Sequence, residues 1–77
     1  MTPAQVREAL CEQPESVKAA VRDLASLAQE MWEMRLGASH DNALSGAHWV
    51  IRAALGVQTG HGEVKQLLAL VRLHGLP

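Results

Sequence analysis

The sequence predicts an all-α fold: a small bundle of three main helices plus a short N-terminal helix, in one domain over residues 1–77. Three observations predict it. Apolar residues recur at steps of three and four, and nowhere do they alternate as in a half-buried strand. Glycines and prolines fall where they divide the chain into stretches of helical length. The chain is 48% apolar, with no Phe, no Tyr and two Trp, so its core is built from Leu, Val, Ala and Met.

Thr2-Pro3-Ala4-Gln5 reads as a capping box, with Thr2 as N-cap, Pro3 at the first helical position and Gln5 reaching back. A short helix follows to about Glu12, burying Val6, Ala9 and Leu10. Pro14 ends it, because the residue before a proline is pushed out of the helical region. Pro14 also opens the second helix, where Glu15 meets the positive end of the helix dipole.

The second helix runs to about Leu36, roughly 33 Å at 1.5 Å per residue, with Gly37 as the left-handed residue that ends it. It carries two apolar stripes. One is Val17, Ala20, Leu24, Leu27, Met31 and Met34; the other is Val21, Ala25, Ala28, Trp32 and Leu36. A helix on the surface of a core needs only one such stripe. The helix that covers Leu24, Leu27 and Met31 cannot also cover the second stripe, for which only the short first helix and the fourth helix remain. Where they do not suffice, the row forms an association surface. Its polar strip, Lys18, Arg22, Ser26, Gln29, Glu30 and Glu33, reads as solvated surface.

Ser39-His40-Asp41-Asn42 reads as a polar link, and a third helix spans about Asn42 to Leu55. Leu44, Ala47, Ile51, Ala54 and Leu55 line one face. Gly46 inside it costs about 1 kcal/mol of helix propensity relative to Ala, which points to a close helix crossing there. Gly56 ends this helix, and Val57 to Gly62 forms a flexible link. The fourth helix, about Glu63 to His74, is apolar around most of its circumference, so it sits centrally or at an interface. Gly75 and Leu76 complete a glycine C-cap with a following hydrophobic contact.

Seven Lys/Arg stand against eight Asp/Glu, for a net charge of -1. That balance lacks the basic field of a nucleic-acid binder. Cys11 alone cannot build a disulfide framework and fits a reducing compartment. No stretch approaches the roughly 18 uninterrupted apolar residues of a membrane span, and no signal peptide is legible at the N-terminus. The expectation is a cytoplasmic protein with no membrane partner.

Chemistry-bearing patterns are sparse. His40, His48, His61 and His74 are too widely spaced for a metal site of usual ligand spacing. Cys11 sits beside Leu10 near the apolar edge of the first helix, where a small buried hydrophobe is expected. No serine lies in a nucleophile elbow, and the Gly56–Gly62 link lacks the Lys-Ser/Thr pair of a phosphate loop. No catalytic, cofactor or metal residues are assigned.

The stretch Arg52-Ala53-Ala54-Leu55-Gly56-Val57-Gln58 resembles the turn of a helix-turn-helix, in which Leu-Gly-Val closes the first helix. Arg52 stands where a small residue is usual, and the link is about two residues longer than the tight turn of that motif. The resemblance implies an alternative function, a small DNA-binding regulator using the third and fourth helices.

The primary expectation is a non-catalytic protein-interaction module: a small regulator, inhibitor or assembly factor, of the kind phages and mobile elements encode. It acts by self-association or by docking on a larger protein. The interface candidates are Val21, Ala25, Ala28, Trp32 and Leu36 from the second stripe, with Trp49 from the third helix, because Trp leads among interface anchors.

Overall fold

A computed structural model describes residues 1–77 and contains four helices and no strand. α1 is Pro3–Cys11, α2 is Glu15–Glu33, α3 is Gly37–Leu55 and α4 is His61–His74. The capping box at Thr2 forms in full: the Thr2 hydroxyl accepts from the Gln5 N–H at 3.2 Å, and the Gln5 side chain accepts from the Thr2 N–H at 2.8 Å. Pro14 is the N-cap of α2. Gly56, at φ 70°, closes α3 in the left-handed region, its N–H on the Arg52 carbonyl.

The turn between α2 and α3 departs from expectation. Gly37 does not end α2 and has no positive φ; the left-handed residue is Arg35, at φ 60°. The Leu36 N–H bonds the Met31 carbonyl at 2.9 Å, and the Arg35 N–H bonds the Trp32 carbonyl at 3.0 Å. These two bonds are the 6→1 and 5→2 pair of a Schellman motif. α3 then starts at once, with the His40 N–H on the Leu36 carbonyl at 2.8 Å. The expected polar link Ser39–Asn42 is therefore the opening of α3, and the helix begins five residues before Asn42.

α2 and α3 form the most extensive pairing, and α1 leans mainly on α4. A single apolar cluster fills the centre, with Val6 and Leu10 from α1, Val21, Ala25 and Ala28 from α2, Ala43, Leu44, Ala47 and Ile51 from α3, Val64, Leu67, Leu68 and Val71 from α4, and Leu76 beyond it. The radius of gyration is 11.2 Å, close to the roughly 11.5 Å of a compact domain this long. The chain thus closes a core by itself.

Gly46 lies under Leu24 of α2, as a close crossing requires. An added Cβ would stand 3.4 Å from Leu24 Cδ2, an ordinary van der Waals distance, so the crossing does not demand glycine. The α3–α4 link is tied down: His48 Nδ1 and the Thr59 hydroxyl share a 3.0 Å hydrogen bond, and Val57 packs against the core.

After α4 the chain folds back across α1 and α2. Leu76 is buried, and three cations hold the backbone around it. Arg7 donates to the Gly75 and His74 carbonyls (3.0 and 3.3 Å), Arg22 to the Leu76 carbonyl (2.9 Å), and Lys18 to the Pro77 carbonyl (3.2 Å). Glu15 pairs with both Arg22 and Lys18 and completes the clasp. No helix is long and apolar enough to cross a membrane.

Candidate protein-interaction site

The second stripe of α2 splits in two. Val21, Ala25 and Ala28 are fully buried within the chain, which corrects their assignment as interface residues. The physical reason is side-chain size. Two of the three are alanines, so α4 approaches closely enough for Leu68 to share a wall with Ala28, and Val71 with Ala25. Arg72 reaches from α4 to the Ala25 carbonyl at 3.4 Å. The short α1 and the apolar α4 suffice to cover this half of the row.

One turn further, cover runs out. Trp32 is 57% exposed and Leu36 43% exposed. From α4, only the Lys65 ammonium reaches over the Trp32 ring, 4.0 Å from its centroid, a cation–π distance. The first stripe is also partly open at this end: Leu27 and Met34 are exposed, and Met31 is half-buried. Four of the seven exposed large apolar side chains of the chain lie between Leu27 and Leu36. The exposed apolar surface is therefore concentrated at one end of the bundle.

Trp49 is 60% exposed but belongs elsewhere. It lies nine residues after His40, which at about 100° per residue puts it on the opposite side of α3. It packs against the edge of the His48 ring, beneath the Arg52 guanidinium, 5.3 Å from its centroid. Its shallow pocket is shared with Ser45, Thr59 and His61. Trp32 and Trp49 do not form one surface.

Three depressions surround the end of α2. One of about 350 Å³ is lined by Met31, Trp32, Arg35, Leu36, Gly37 and His40. A second of about 260 Å³ lies on the other side of the indole, where Gln29, Leu44, Lys65, Leu68 and Arg72 meet Trp32 and His40. A third of about 370 Å³ runs along the first stripe, from Leu24 and Leu27 to Met31. The first two share Trp32 and His40, and the first and third share Met31. Together they make a groove around Trp32.

His40 is the one buried polar residue of the chain. Its ring stacks obliquely on Trp32, with centroids 5.1 Å apart, and it lines both depressions beside the indole. Sequence reasoning placed it on a surface link because the start of α3 was set too late. The spacing of Met31 and Leu36, five apart as C3 and C″ of a Schellman motif, is the signal that could have found the turn.

The remaining chemistry-bearing groups stay apart. Asp41 lies 3.6 Å from His40 and 3.9 Å from His61, and no three metal-ligating side chains converge. Cys11 is half-buried at the edge of the core. On α4, burial of Val64, Leu67, Leu68 and Val71 leaves Lys65, Gln66 and Arg72 on the exposed side. Comparison with known protein families, with curated proteins and with solved structures finds no match to this chain.

Proposed function

We propose that this chain is a non-catalytic protein-interaction module that docks on a larger protein through the groove around Trp32. The observation that carries this reading is the concentration of exposed Leu27, Trp32, Met34 and Leu36 at one end of a bundle whose core is otherwise closed. Apolar side chains gathered into one patch, rather than scattered, mark association sites in water. A half-exposed Trp flanked by a lysine and an arginine has the make-up of an interface anchor.

The test compares wild type with Trp32→Ala and, as a control on the other face, Trp49→Ala. Trp32→Ala is expected to weaken association by about 2 kcal/mol or more, while Trp49→Ala retains it. Both variants keep a helical circular-dichroism spectrum, because both side chains lie outside the core. Sedimentation equilibrium at micromolar concentration shows whether the bound protein is a second copy. A monomer that retains no protein which Trp32→Ala fails to retain overturns the reading.

A further inference from the structure

The charge distribution around Trp32 points to the chemistry of the partner. Of the seven Lys/Arg, Arg7, Lys18 and Arg22 are committed to the backbone of the C-terminal clasp, and Arg52 lies over Trp49. The other three, Arg35, Lys65 and Arg72, all line the two depressions that flank Trp32, Lys65 over the indole itself and Arg72 with one N–H on the Ala25 carbonyl. None of the three has a carboxylate within ion-pair distance, whereas Lys18 and Arg22 both meet Glu15. No carboxylate lines the two depressions beside Trp32. Of those nearby, Glu33 accepts from the Gln29 amide at 3.0 Å, Asp41 stands 3.6 and 3.9 Å from His40 and His61, and Glu30 is exposed on the next turn of α2.

Two further donors face the same depressions. The side chain of His40 is 8% exposed, and neither ring nitrogen makes a hydrogen bond within the chain, its 3.6 Å approach to Asp41 being beyond that range. Beside it, α3 begins without any side-chain cap. Its first N–H groups, at Gly37, Ala38 and Ser39, are the unsatisfied donors of a helix N-terminus, where the dipole favours a negative charge. Gly37 presents no side chain in front of them, and an added Cβ there would meet nothing.

The geometry points to an acidic segment of a partner protein as the occupant, with one large apolar side chain next to its carboxylates. The apolar side chain enters the depression between Met31, Trp32 and Leu36. At about 350 Å³, this cavity stands near the lower end of the roughly 300–1,000 Å³ of ligand sites, suited to one or two side chains rather than a large cofactor. One carboxylate meets Arg35 and the start of α3, and another meets Lys65 and Arg72 across the indole. This inference rests on the protein-interaction reading and adds the sign of the partner's charge. A net charge of -1 on the whole chain opposes a polyanion the size of a nucleic acid but leaves a short acidic segment unaffected.

The test pans a random-peptide display library on the full chain and measures the enriched peptides against wild type, Trp32→Ala and the double variant Arg35→Glu/Lys65→Glu. All three substituted side chains are exposed, and circular dichroism verifies the fold. The expected consensus is acidic with one large apolar residue. Its affinity drops about tenfold or more in the charge-reversed variant and weakens as salt is raised. Its binding shifts the Trp32 indole and His40 imidazole resonances and leaves those of Trp49 in place.

A neutral or basic consensus, an acidic one that maps to Trp49, or no enrichment at all overturns the inference. So does a single-stranded oligothymidylate that binds at Trp32 when the peptides do not. If Trp32→Ala abolishes protein capture while Arg35→Glu/Lys65→Glu leaves it intact, the interaction reading stands and the acidic partner falls. If neither variant changes capture, both fall.

Discussion

Arg35 occupies a position that glycine would fill at lower free energy, and Arg35→Gly separates what the turn needs from what the site needs. At φ 60° its Cβ crowds the neighbouring carbonyl, a conformation that costs an L-residue roughly 1–2 kcal/mol. Glycine removes that cost but adds about 0.5–1 kcal/mol of unfolded-state entropy. The guanidinium makes no hydrogen bond or ion pair within the chain, so nothing else in the fold is lost. The net expectation is a gain of about 0.5–1 kcal/mol. For a domain of this size 1 kcal/mol corresponds to roughly 4–8 °C in Tm, so a rise of about 2–8 °C is expected. Thermal melts and urea titrations followed by circular dichroism measure it. The same substitution removes one of the three cations at the groove that have no ion pair, so affinity for an acidic peptide is expected to fall as stability rises. An Arg35→Gly chain less stable than wild type would refute the argument, because it would mean that the arginine side chain contributes to the fold through a contact absent here.

Three further expectations concern the scaffold. Gly46→Ala should stabilise by about 1 kcal/mol through helix propensity, because the new methyl meets Leu24 at ordinary contact distance; a lower urea midpoint would mean that α2 and α3 pack more tightly than this. Leu67→Ala, at a side chain 1% exposed, should cost about 2–5 kcal/mol, and a midpoint shift below that range would place Leu67 outside the core. The Arg22 guanidinium, with help from Lys18, holds the Glu15 carboxyl below its ordinary value of 4.5. The stability this confers is fully present above that value and is lost as pH falls through the lowered folded value. The Tm advantage of wild type over Glu15→Gln should therefore shrink on acidification across that window, and a gap that widens instead would contradict the pairing.

Local signals were legible in the sequence and long-range ones were not. The Thr2–Gln5 box, the break at Pro14 and the glycine stop at Gly56 depend on residues within one turn of each other, and all three form as read. The start of α3 was misplaced because glycine is the usual mark of a left-handed residue and Gly37 stood nearby. Two bonds to α2 carbonyls instead hold Arg35 in that conformation. Periodicity identified both stripes of α2 but not which neighbour covers each. That depends on the reach of α1 and α4, set by the small size of Ala25 and Ala28 and by the antiparallel course that brings Lys65 over Trp32. Trp32 and Leu36, exposed in the fold, were legible as interface candidates from spacing alone. Arg35, His40 and Lys65 were not, because what unites them is a meeting of three helices.

The C-terminal clasp has a consequence for the order in which this molecule assembles. Its hydrogen bonds join residues 54 to 68 positions apart, whereas α2 and α3 are joined by a three-residue turn and can zip from there. Closing the longest loop carries the largest entropy cost and comes after the local hairpin. α1 and the tail, bound to each other through Arg7, then act as one cooperative unit, the last to dock and the first to lift away. In native-state hydrogen exchange the amides of α1 and Gly75 should open together at lower free energy than those of Ala47 and Ile51. The groove around Trp32 lies at the far end of α2 from that clasp, so the two ends of the same helix can differ in their dynamics: one a door, the other a fixed wall.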